Sequence, residues 1–112
     1  MNKLHFIMES NKKEIINEYP AYYTKDEKII FKINDEIYQY DKKNIILSKK
    51  DSEKELVIKF KEKLIIIAVN INNIKIDYPI AKVNVQTDEK KVLLSYELDD
   101  IEPLNNRITI EF

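Results

Sequence analysis

Leu56-Val57-Ile58-Lys59-Phe60-Lys61 alternates strictly. Leu56, Ile58 and Phe60 fall on one side of an extended chain, and Val57, Lys59 and Lys61 fall on the other. Side chains two residues apart on a strand point the same way, so this spacing predicts one dry and one wet face. The pattern recurs downstream at Ile74, Ile76 and Tyr78, at Val83 and Val85, at Val92, Leu94, Tyr96 and Leu98, and at Ile108, Ile110 and Phe112. It also runs upstream, where Leu4, Phe6 and Met8 alternate with His5, Ile7 and Glu9. Serial strands of this kind, separated only by turns, predict an all-β antiparallel sandwich or barrel.

Two segments depart from simple alternation. In residues 13–24, Ile15, Ile16 and Tyr19 have helical spacing behind a possible Ser10 cap, but Tyr19, Ala21 and Tyr23 alternate around Pro20. A proline would stop a helix at Tyr19, so a strand with Pro20 at a bulge or an edge is the better expectation. The run from Leu64 to Ile71 is apolar on both faces, Leu64 and Ile66 on one and Ile65, Ile67, Val69 and Ile71 on the other. This predicts a central, covered strand. An exposed stripe at a subunit contact is the other reading.

The chain has 112 residues, enough for one domain spanning 1–112. Its apolar share of 44 % excludes wholesale disorder, and a formal charge of −1 argues against a dedicated nucleic-acid binder. There is no cysteine, which removes disulfides, thiolate nucleophiles and cysteine-based zinc sites. No apolar run approaches the roughly 18 residues of a membrane helix, and the first residues lack a signal-peptide core, so the expectation is a cytoplasmic protein without a membrane partner. There is no glycine either. Positive-φ turn positions should then fall to Asn and Asp, at Asn34-Asp35, Asn72-Asn73 and Asn105-Asn106. The segment 99–106, with Pro103, reads as the longest loop.

No catalytic set emerges. His5 is the single histidine, and Ser10, Ser48, Ser52 and Ser95 lack the glycines of a nucleophile elbow. The acidic pairs Asp26-Glu27, Asp35-Glu36, Asp88-Glu89 and Asp99-Asp100 fall at turns, where solvation explains them better than acid–base or metal chemistry. The lysine pairs at 12–13, 42–43, 49–50 and 90–91 are interleaved with acids and suit guards of strand edges; weak RNA or nucleotide binding through them is the sharper alternative. Neither a cofactor nor a metal is expected, and the chain reads as a non-enzyme. Tyr78 and Tyr96 lie in phase with apolar residues and should both point inward. A buried phenol needs a hydrogen-bonding partner, which a ligand can supply.

The stretch Ile76-Asp77-Tyr78-Pro79-Ile80-Ala81-Lys82-Val83-Asn84-Val85-Gln86-Thr87, followed by Leu94-Ser95-Tyr96-Glu97-Leu98 and a terminal Asn106-Arg107-Ile108-Thr109-Ile110, resembles the YwiB-like family of small bacterial proteins. Ala81 stands near a family glycine, and a family arginine of the middle strand is Lys59 or lost. The resemblance implies a calycin-like, lipocalin-type barrel: a single antiparallel meander closing on itself with about eight to ten short strands. It carries no activity. The resulting expectation is a binding protein for a small apolar or amphipathic ligand oriented by Tyr78 and Tyr96. The alternative is a module docking a protein or a second copy through residues 64–71 or a sheet edge.

Overall fold

The computed structural model describes residues 2–70, 74–99 and 104–112. Among them lie twelve strands and no helix: β1 (His5–Ser10), β2 (Lys13–Glu18), β3 (Tyr22–Lys25), β4 (Lys28–Ile33), β5 (Glu36–Asp41), β6 (Ile46–Lys50), β7 (Lys54–Lys59), β8 (Leu64–Val69), β9 (Ile74–Pro79), β10 (Lys82–Thr87), β11 (Lys91–Leu98) and β12 (Leu104–Glu111). They form two antiparallel sheets of five and seven strands, and each sheet belongs to its own compact unit. The all-β expectation holds. The twelve strands exceed the expected eight to ten, in part because residues 13–24 make two strands, β2 and β3, where one is expected.

The five-stranded sheet runs β10-β11-β12-β1-β2. Its central ladders place Phe6 opposite Ile110 and Met8 opposite Ile108, with Val92 and Leu94 opposite the same two residues from the other side. This row is dry. Phe6, Leu94, Ile108 and Ile110 are fully buried, and Leu4 and Val92 nearly so. Each such side chain contributes about 2 kcal/mol of transfer free energy. β2 is an edge strand, and its register on β1 shifts between Met8 and Glu9.

The seven-stranded sheet is a pure meander from β3 to β9. Ile29, Phe31, Ile33, Tyr38, Tyr40, Leu47, Ile58, Phe60 and Ile65 make its buried face. Phe31 and Tyr38 face each other across β4 and β5, with ring centroids 5.2 Å apart. Among the described residues, no ladder joins β3 to β9 or β2 to β10, so neither sheet is hydrogen-bonded into a ring.

Several expectations change. Residues 13–24 are extended, not helical, but make two strands, because Pro20 has no N–H with which to carry a ladder. Its carbonyl instead accepts the Leu4 N–H at 3.0 Å. Asn105 and Asn106 are not a turn. The eight residues of β11 draw them into β12, which begins at Leu104, with Glu97 opposite Asn105 and Tyr96 opposite Asn106. The proposed turn at Asn72-Asn73, Ile71, and residues 100–103 of the expected loop lie outside the described residues.

Without glycine, positive φ falls to Asn11, Asp26 and Asn34, as the turn chemistry suggests, but also to Lys12, Lys63 and Ile45. Ile45 is the costly one. A β-branched residue at φ 54° crowds its own carbonyl, at a cost of about 1–2 kcal/mol. Two neighbours hold it there. The Asp41 carboxylate accepts the N–H groups of Lys43 and Asn44, and the Ile45 carbonyl accepts the Phe60 N–H at 3.2 Å.

Candidate functional site

Tyr96 meets its expectation. It follows Val92 and Leu94 onto the buried face of the five-stranded sheet and is 4 % exposed. Across the ladder stands Asn106, itself 5 % exposed. The Asn106 Nδ2 donates to the Tyr96 hydroxyl oxygen at 2.8 Å. Burial raises the Tyr96 pKa, and the bond from Asn106 opposes that rise. The Asn106 Oδ1 is buried without a hydrogen-bonding partner among the described residues. An acceptor in that condition costs about 1–3 kcal/mol relative to one that is paired. Sequence reading misses Asn106 because Asn-Asn looks like a turn. The signal that finds it is its place two residues before Ile108, in phase with the apolar row.

Tyr78 does not meet its expectation. It is in the correct phase, opposite buried Ile65, yet it is 44 % exposed. β9 is the last strand of its sheet, with a hydrogen-bonded neighbour on one side only. Tyr78 and Tyr96 stand on different sheets and do not form a pair within either.

Residues 64–69 form β8, which lies inside its sheet with β7 on one side and β9 on the other; Ile65 is buried and the rest of the strand is half-buried. The exposed apolar stripe lies instead on β9, where Ile74, Ile76 and Tyr78 share one face.

The outer face of the five-stranded sheet carries a concavity of about 350 Å³, lined by Asn84 and Gln86 of β10, Leu93 and Ser95 of β11, and Asn105 and Arg107 of β12. Its donors are amides, a hydroxyl and the chain's single guanidinium. Such a lining suits a polar, solvated surface. Asn105 is tied into the fold, its N–H donating to Asn11 Oδ1 at 3.0 Å.

Several other polar side chains have structural partners. His5 Nε2 lies 2.6 Å from Asn17 Oδ1, and its ring stacks on Tyr19 at 4.1 Å. Ser48 Oγ reaches the Gln39 carbonyl at 3.5 Å. Asp41, Asp51 and Asp88 each accept two backbone N–H groups within their own turns. Of the paired lysines, Lys49 bridges to Glu36 at 3.1 Å and Lys91 to Glu111 at 3.7 Å. Among the described residues no three His, Asp or Glu side chains gather in a metal-binding group, and no helix is long and apolar enough to cross a membrane.

No protein-family model, curated protein or solved structure matches this chain.

Proposed function

We propose that the protein is a non-enzymatic, cytoplasmic binding protein of calycin-like architecture, akin to the YwiB-like family, that takes a small amphipathic ligand at Tyr96 and Asn106. Two observations support the architecture. The seven-stranded sheet is an unbroken meander, and within the five-stranded sheet β10, β11 and β12 follow in chain order before β1 and β2 join on the far side of β12. The single observation that carries the ligand reading is the unpartnered Asn106 Oδ1 on an otherwise apolar face. Folded chains rarely leave a buried acceptor unpaired, and a ligand that donates a hydrogen bond would satisfy it. The matching molecule carries a hydroxyl or amine that donates to the Asn106 Oδ1. Tyr96 fixes the amide through its hydroxyl, and Tyr78 has no part in this site.

The test is native mass spectrometry of gently purified protein, alongside Asn106→Leu and Tyr96→Phe. The expected result is a mass excess on the natural chain that disappears on denaturation and is lost or reduced in both variants, each still folded by circular dichroism. A bare chain mass for the natural protein, together with an Asn106→Leu variant that is simply more stable, refutes the reading.

A further inference from the structure

The two sheets present four edge strands: β2 and β10 in one, β3 and β9 in the other. An edge offers unpaired backbone N–H and C=O groups to any passing strand, and native proteins usually blunt it with charge, brevity or a bulge. β2 carries Lys13, Glu14 and Glu18 beside its register shift. β3 has only four residues. β10 alternates half-buried valines with exposed polar residues. β9 carries Lys75, Asp77 and a terminal Pro79, but it is neither short nor bulged, its pairing with β8 running without a register shift. It has six residues, all exposed, and Ile74, Ile76 and Tyr78 stand 45, 41 and 44 % exposed on one face.

On the other face of β9 stand Lys75 and Asp77. Across β8 their partners are Ala68 and Ile66, so neither charge is answered on the paired side, and neither joins an ion pair among the described residues. The order Ile74-Lys75-Ile76-Asp77-Tyr78 is self-complementary when run antiparallel against itself. With Ile76 at the centre, Lys75 of each strand lies opposite Asp77 of the other, and Ile74 lies opposite Tyr78. Opposite charges and aromatic–β-branched pairs are the favourable cross-strand combinations. A two-fold interface requires this self-matching. Pro79, with no N–H, ends the ladder just past Tyr78.

We propose that β9 is the contact for a second copy of this chain, paired antiparallel about Ile76, so that the two seven-stranded sheets become one sheet of fourteen (seven from each copy). The occupant is a copy because the register answers its own charges. The proposal is independent of the Tyr96–Asn106 site.

The experiment is sedimentation equilibrium over a wide concentration range on four proteins: the natural chain, Ile76→Lys, Asp77→Lys, and the swapped double variant Lys75→Asp with Asp77→Lys. The natural chain should show a monomer–dimer equilibrium. Ile76→Lys, which sets two ammonium groups face to face at the two-fold axis, should be monomeric throughout. Asp77→Lys should weaken association at least tenfold, and the swap should recover most of it, because each lysine again faces an aspartate. Lys75 and Asp77 are exposed, so the last two variants inform even if Ile76→Lys disturbs the fold. A natural chain that is monomeric at every concentration overturns the proposal. So does a dimer indifferent to Asp77→Lys, or one that the swap fails to restore.

Discussion

Alkaline pH should unfold this protein through two phenols. Tyr38 and Tyr40 are 3 and 1 % exposed. Burial pushes the Tyr38 phenol from 10.0 up to about 12, with the Glu36 charge adding to the rise. Burial does the same to Tyr40, up to about 12, aided by Asp41. In the native state both hold protons that the unfolded chain has already released. Their stabilising effect is therefore complete below about pH 10 and is lost as pH climbs toward 12. Each unit in that window costs about 1.4 kcal/mol per tyrosine. At about pH 11 the pair removes roughly 3 kcal/mol, a large part of the 5–15 kcal/mol typical of a domain. Urea unfolding at about pH 9 and about pH 11, on the natural chain and on Tyr38→Phe/Tyr40→Phe, isolates the effect, because every other titrating group is common to both proteins. The gap between them should shift by roughly 3 kcal/mol in favour of the double variant at the higher pH. A gap that does not move with pH, or a folded protein whose phenolate absorbance shows every tyrosine ionising near pH 10, refutes the reasoning.

Lys63→Gly should raise stability by about 0.5–1 kcal/mol in urea titration, since relief of the left-handed strain at φ 54° exceeds the added freedom of an unfolded glycine. The Asp41 carboxyl is held below its usual value by the Asn44 side chain and by the N–H groups of Asn44 and Lys43. Its contribution is present above the unfolded pKa and lost as pH falls through the folded one, so Asp41→Asn should flatten the acid limb of the stability curve, measured as urea midpoints between about pH 6 and about pH 3.

Alternation alone locates most of the dry faces. Ile58 and Phe60, Val92, Leu94 and Tyr96, and Ile108 and Ile110 are all buried where the period of two places them. What alternation does not encode is whether a strand has a neighbour on each side. Ile74, Ile76 and Tyr78 have the same spacing as the core rows, yet stay exposed on an edge strand. Asn106 fails for the opposite reason. A local preference of asparagine for turns is overridden by the eight-residue ladder between β11 and β12, and only the pairing partner reveals the buried amide. Ile45 belongs with it, since no propensity would assign a β-branched residue to a left-handed turn.

The pairing of β1 with β12 has a consequence in time. Every ladder of the seven-stranded sheet joins consecutive strands, so that sheet can grow hairpin by hairpin, each closing a short loop. His5, by contrast, must find Glu111 at nearly the far end of the chain. Long-range pairing of this kind slows folding. On the ribosome, β1 emerges first of the twelve strands and its partner last, so the five-stranded sheet is completed only after β12 has been made, while Phe6 waits uncovered for Ile110.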